Sequence, residues 1–237
     1  VAADERWEWL ELGCSVAAGR GDELSDLDMG LGYVDEAVVS TVDLVLRGLG
    51  EVVDVSAQPY GGRPRWWVQY ADGGQIDLVA MPAPDRPGLP PGSVALLDRA
   101  GRLSVPFEPS LVSASPEDPR NWLLDGWEAL SNVAKYLRRG SLLEALDQVT
   151  RARERVFQLW ACGCGVPYPA FGLTSLLDEP SPSLPPGISA TYGVPGYESV
   201  KAAALATATL LAAAAEHAQP GLDTPLRTYV TSRLHTP

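Results

Sequence analysis

Asp26 and Asp28 stand two residues apart in Ser25-Asp26-Leu27-Asp28, and a third aspartate, Asp77, interrupts the apolar run Gln75-Ile76-Asp77-Leu78-Val79. On an extended chain, residues two apart project from one face. Asp26 and Asp28 would therefore point together, while Leu27, Met29 and Leu31 point into a core. Carboxylates held that close repel each other unless a cation sits between them. Mg²⁺ is the usual solution, held by one or two carboxylates and completed by the phosphates of a substrate. Just upstream, Gly13-Cys14-Ser15 is a small-residue turn joined to the aspartates by a polar loop.

Gly13 and Ser15, followed by Ser25-Asp26-Leu27-Asp28, resemble the signature of the DNA polymerase beta-like nucleotidyltransferase superfamily, a glycine-serine turn succeeded by Asp-x-Asp on a strand. The likeness is greatest to the small bacterial members that include aminoglycoside and lincosamide adenylyltransferases. It implies an enzyme that moves AMP from ATP, or another nucleoside monophosphate from its triphosphate, to a hydroxyl of a small, cationic, aminoglycoside-like acceptor. Under the same resemblance, Gly13, Ser15 and Ser25 contact the nucleotide, and Asp26, Asp28 and Asp77 hold Mg²⁺ and form the catalytic set. Asp77 would also take the acceptor's proton, and Lys135, from a later helix, would meet the triphosphate. Glu128 is a weaker candidate for the base. The family places glycine directly before the serine, and here Cys14 stands there. A side chain at a position that favours close backbone approach would crowd the phosphates. The alternative reading is a catalytically weak or inactive nucleotide-sensing or protein-interaction module, as in antitoxin-like members.

The surrounding pattern predicts an α+β protein: a mixed-sheet nucleotidyltransferase domain over residues 1–110, flanked by helices, then a helical bundle over 111–237 that closes the substrate cleft. Arg6 to Leu12 reads as a strand leading into the Gly13 turn. Asp35 can cap a helix to about Leu49, with Val38, Val42, Val45, Leu46 and Leu49 forming its core stripe. Val52 to Gln58 alternates as a strand. Arg65 to Tyr70 and Gln75 to Met81 flank Asp72-Gly73-Gly74, a hairpin signal that puts Asp77 in the sheet. Val94 to Asp98 and Leu103 to Val105 are candidate edge strands. Beyond Ser115 the spacing turns helical: one helix to Gly140 opened by a Ser115-Pro116 cap, one from a Ser141 capping box to about Ala161, and one from Ser199 to Ala218.

The net charge of −12 shows no basic footprint of the kind that displaces counterions from long nucleic acid, so no nucleic-acid partner is expected. Residues 1–110 carry 18 acidic against 8 basic side chains, a field that suits a metal ion and a cationic acceptor. The apolar run near Ala202 to Ala215 is short and weakly hydrophobic, so no membrane span is expected. With no basic start followed by an apolar segment, the expected location is the cytoplasm. Cys14, Cys162 and Cys164 are expected as free thiols, and His217 and His235 lie far in sequence from any nucleophile motif.

Overall fold

The computed structural model describes residues 2–235. The chain is α+β, and its contacts divide it into a unit ending at Glu108 and a second beginning at Pro109.

The first unit is a six-stranded sheet. β1 (Trp7–Leu12) leads into a four-residue helical turn, α1 (Cys14–Ala17), and a loop brings the chain to β2 (Leu27–Tyr33). A short helix, α2 (Val42–Arg47), is followed by β3 (Val52–Ala57), the hairpin of β4 (Arg65–Tyr70) and β5 (Gln75–Pro82), and β6 (Val94–Asp98). The strand order is β3-β4-β5-β2-β1-β6. β2 and β5 run parallel, and every other neighbouring pair is antiparallel. The sheet is therefore mixed, with its single parallel pair at the centre.

Alternation gives the sheet two unlike faces. Leu31, Ile76, Leu78, Ala80, Trp66, Val68 and Tyr70 are buried on one face together with Val38, Val42 and Leu46 from the α2 segment. Tyr70 anchors this layer by donating its hydroxyl proton to the Leu46 carbonyl at 2.8 Å. On the other face Trp9, fully buried, joins Met81, Ala83 and Leu103 in a small cluster. Its indole lies where a Cβ on Gly32 would have to stand, 2.1 Å away, so only glycine fits opposite it.

Two expectations about this unit are corrected. The helix expected from Asp35 to Leu49 is a 3₁₀ stretch, Glu36–Thr41, followed by the short α2. Asp35 does cap it, accepting from the Ala37 N–H at 3.0 Å. The tighter 3₁₀ winding shifts the stripe, so Val38, Val42 and Leu46 are buried while Val45 and Leu49 are exposed. Leu103 to Val105 is not a strand: Asp98 accepts from the backbone N–H groups of Arg102 and Leu103, at 2.8 and 3.0 Å, and curls the segment into a loop.

The second unit is a helical bundle of α3 (Asp118–Arg139), α4 (Leu142–Cys164), α5 (Leu173–Leu177), α6 (Tyr197–Ala218) and α7 (Leu226–His235). Gly140 and Gly165 end α3 and α4 in left-handed conformations, as helix-terminating glycines do. Neither predicted cap forms as expected. Ser141 makes no side-chain capping bond, and Ser115 donates its backbone N–H to Asp118 at 2.7 Å instead of capping α3. α6 has the length and composition to cross a membrane. In the bundle its Val200, Ala204, Leu211, Ala214 and Ala215 are buried in the common core with α3 and α4, where its small side chains allow close helix approach.

Candidate functional site

Asp28 and Asp77 are register partners across the central parallel pair. Their Cα atoms are therefore about 5 Å apart, the spacing of neighbouring strands. Since Leu27, Met29, Ile76 and Leu78 turn toward the apolar core, both aspartates project from the opposite face. The hairpin places Asp77 antiparallel to β4, as the sequence implied, but its alignment with Asp28 comes from parallel pairing with β2. Asp26 directly precedes β2 and is half-buried.

The Gly13 turn lies against these carboxylates. Gly13 donates its N–H to the Asp28 carbonyl at 2.8 Å, and a Cβ on Gly13 would come within 4.0 Å of the Asp28 Cβ and 3.5 Å of the Ser93 hydroxyl. Cys14 follows with φ at +56°, one of two non-glycine residues with positive φ among those described. This is the left-handed conformation in which glycine is unstrained, and a side chain there costs about 1–2 kcal/mol. The turn has a backbone conformation that suits glycine, and the exposed Cys14 carries the strain of it. Ser15, the next residue in α1, is half-buried. The first N–H groups of a helical turn have no acceptor within it.

Other predicted residues are engaged elsewhere. The Ser25 hydroxyl is held in its own loop, donating to Asp22 at 3.0 Å and accepting from the Asp22 N–H at 2.9 Å. Lys135 lies on α3 in the helical unit, where it donates to Asn132 at 2.7 Å and sits 4.6 Å from the Tyr136 ring centre. Glu128 is exposed on the same helix.

Four residues of this face escaped the sequence reading. Arg65 grips Asp77 with a two-pronged contact, Nε to Oδ1 at 2.7 Å and an Nη to Oδ2 at 2.5 Å. Hydrogen bonding to Asp77 raises the Arg65 pKa above its ordinary value, and the charge of Asp28 acts in the same direction. Trp67 is the register partner of Asp77 on β4 and is half-buried on the same face. Glu11 pairs with Gly30, two residues along β2 from Asp28, and is bound by Arg86 through a two-pronged contact that includes Nε to Oε2 at 3.0 Å. Burial pushes the Glu11 carboxyl above its usual pKa, and Arg86 opposes that shift. Counting back from the Asp72-Gly73-Gly74 turn would have paired Trp67 with Asp77 and put Arg65 diagonally across. Nothing in the local sequence around Glu11 points to Arg86, which is 75 residues away.

The oxygen donors Asp26, Asp28 and Asp77 are chemically suited to Mg²⁺. Their arrangement fits a two-carboxylate site completed by phosphate rather than a ready-made cage. Asp77 is occupied by Arg65, and among the described residues no group of three or more His, Cys, Asp or Glu side chains is placed to hold a metal ion.

The helical unit has features of its own. Two adjoining cavities of about 230 and 440 Å³ share Thr150, Arg153 and Tyr192, with the Arg153 guanidinium 3.8 Å from the Tyr192 ring centre. Neither cavity is lined by a residue predicted for the site. Folding also joins two residues that looked unrelated, Cys164 Sγ lying 3.7 Å from His217 Nε2, with His217 stacked on Trp160 at 4.4 Å. Burial raises the Cys164 pKa, which is the opposite of what an activated thiolate requires.

No family model matches the chain, and no curated protein matches it. Among solved structures it is similar to the crystal structure of an aminoglycoside 6-adenyltransferase from Bacillus subtilis, at 16% sequence identity and a TM-score of 0.47, over 98% of this chain and 92% of that one. A likeness at that level carries nothing about substrate or activity.

Proposed function

We propose that the protein is a Mg²⁺-dependent nucleotidyltransferase that transfers AMP from ATP to a hydroxyl of a small cationic acceptor of aminoglycoside-like chemistry. The observation that carries this reading is the alignment of Asp28 with Asp77 across neighbouring parallel strands, beside a turn hydrogen-bonded to the Asp28 backbone. Asp26 and Asp28 would hold the metal, which when bound supplies charge neutralisation at the phosphates. The Gly13-Cys14-Ser15 turn would receive the phosphates through the Ser15 hydroxyl and backbone N–H groups other than that of Gly13, which is donated to Asp28. Asp77, oriented by Arg65, takes the proton of the acceptor hydroxyl as its oxygen attacks the α-phosphorus. The bond from that phosphorus to the bridging oxygen breaks, and pyrophosphate leaves.

Titration calorimetry tests the reading. ATP should bind only in the presence of Mg²⁺, and the paired substitution Asp26→Asn with Asp28→Asn should weaken it by roughly a hundredfold or more, as expected for loss of a charge-assisted metal site. Binding that ignores both metal and substitutions would overturn the mechanism.

The strained Cys14 favours a second reading, a nucleotide-sensing module with weak or absent turnover. Cys14→Gly separates the two: a gain of ATP binding or turnover marks a degenerate turn, whereas full turnover in the unaltered protein removes this alternative.

A further inference from the structure

We propose that the two adjoining cavities of the helical unit form one groove that binds a small organic anion, a carboxylate carried on a planar apolar body, with Arg153 as the residue that reads the carboxylate. The groove is built wholly within the second unit and stands independently of the nucleotidyltransferase reading. It follows α4, from which Thr150 and Arg153 line both cavities, and Tyr192 lines both from just beyond the 3₁₀ turn Ile188–Thr191. At about 230 and 440 Å³ the cavities have room for a ligand of one or two rings.

Arg153 is half-buried, and its partners are all neutral. Its Nη atoms donate to the Thr191 carbonyl and the Thr150 hydroxyl, each at 3.1 Å, and its Cζ lies 3.8 Å from the Tyr192 ring centre. Among the described residues no carboxylate pairs with it, although Asp147 lines one cavity and Glu154 the other. Those two bonds use two of the five N–H groups of a guanidinium. A ring against the guanidinium face leaves the remaining donors, which lie in its plane, for a ligand, and a positioned fork binds a carboxylate through paired bonds. Asp147 and Glu154 are exposed, so water and salt screen them, whereas the half-buried guanidinium keeps more of its field.

The rest of the groove suits an apolar body. Phe157 lines it from the core, Leu173 borders it, and Phe171 and Tyr192 stand as aromatic walls, 59% and 57% exposed. The turn that carries Phe171 is pinned, with Gln158 donating to the Ala170 carbonyl at 2.7 Å and the Ser175 hydroxyl to the Tyr168 carbonyl at 2.6 Å. Free phosphate would bring more charge to desolvate and no apolar surface to bury, so a carboxylate on a ring is the better match.

Saturation-transfer NMR titrations on the full chain test this with two ring probes of opposite charge, 2-naphthoate and 2-naphthylmethylamine. The naphthoate should bind roughly fivefold or more tightly than the amine, and inorganic phosphate added as a competitor should displace it poorly. Arg153→Gln should weaken naphthoate binding roughly tenfold, the loss of one charge-assisted hydrogen bond. The amine should bind that variant as well as before or better, because Asp147 and Glu154 remain; a purely structural arginine would weaken both probes alike. Phe171→Ala removes an exposed wall and should weaken naphthoate roughly threefold without lowering the melting temperature. That variant and the charge comparison decide the matter if Arg153→Gln does not fold by circular dichroism. No naphthoate binding at millimolar concentration, equal binding of the amine, ready displacement by phosphate, or an affinity indifferent to Phe171→Ala or to Arg153→Gln overturns the proposal, as does an equal loss for both probes in Arg153→Gln.

Discussion

The two faces of the N-terminal sheet are made by the same strands and solve opposite problems. On one, Leu31, Ile76, Leu78 and Val68 are buried against the α2 segment, and dry contact is sufficient. On the other, Asp28, Asp77 and Glu11 stand among Arg65 and Arg86, and each carboxylate held by a guanidinium has both of its oxygens gripped. A carboxylate leaving water costs several kcal/mol unless it is paired and hydrogen-bonded. The carboxylates beside the small Trp9 cluster are therefore stabilised only by matched partners, and the apolar face by almost any side chains of the right volume. The charged face is where specific chemistry can be built, and it is the more fragile of the two.

That contrast can be broken most forcefully at Arg86. Arg86→Ala leaves Glu11 buried without its partner and should cost about 3–5 kcal/mol in chemical denaturation at neutral pH. The sign of its pH dependence follows from Glu11. Its folded pKa is raised, so the folded state binds the proton more tightly than the unfolded chain, and stability falls as pH rises through that range. Removing Arg86 takes away the opposing influence and raises the folded pKa further, so the loss should shrink as pH is lowered from 7 toward 4. A loss independent of pH would mean that Arg86 acts by packing, for example through its approach to the Phe107 ring at 6.0 Å.

A smaller effect is expected at Gly32. The added methyl of Gly32→Ala must displace the fully buried Trp9 indole, which is also tied to the Ala83 carbonyl at 3.2 Å. Overpacking of this kind costs about 1–3 kcal/mol, read as a lowered melting temperature. No change would show that the Trp9 layer, the apolar part of the charged face, yields easily.

The smallest effect concerns the turn. Cys14→Gly relieves a left-handed side chain while adding freedom to the unfolded chain, and the two nearly offset. Stability should rise by at most about 1 kcal/mol. A destabilisation would show that the Cys14 side chain makes contacts worth more than its strain.

Much of the architecture was legible because it is local. Period-two alternation announced β1, β4 and β5, the Asp72-Gly73-Gly74 turn announced their hairpin, and the long periodic runs announced α3, α4 and α6. Where short-range signals compete, the reading slipped. The segment after Asp35 winds as 3₁₀ and exposes Val45 and Leu49, and the serines before α3 and α4 make none of the predicted capping bonds. The candidate site was legible in part. Asp28 could be seen to stand on a strand beside the Gly13 turn, and Asp77 to interrupt another, but the cations that hold this face could not, and Asp26, expected on the same strand, lies just before it.

From the order of its residues alone, this protein determined that it would be α+β, that Asp28 would stand on a strand beside a small-residue turn, and that its net charge would be acidic. Periodicity and turn preference act over a few residues, and the chain carries them wherever it goes. Only the folded structure decided that Asp77 would lie level with Asp28, that Arg65 would occupy it, that Glu11 would find Arg86, and that Cys14 would take the left-handed turn. Those outcomes depend on strand register and on which distant charges are desolvated together, and neither is written in any local stretch of sequence.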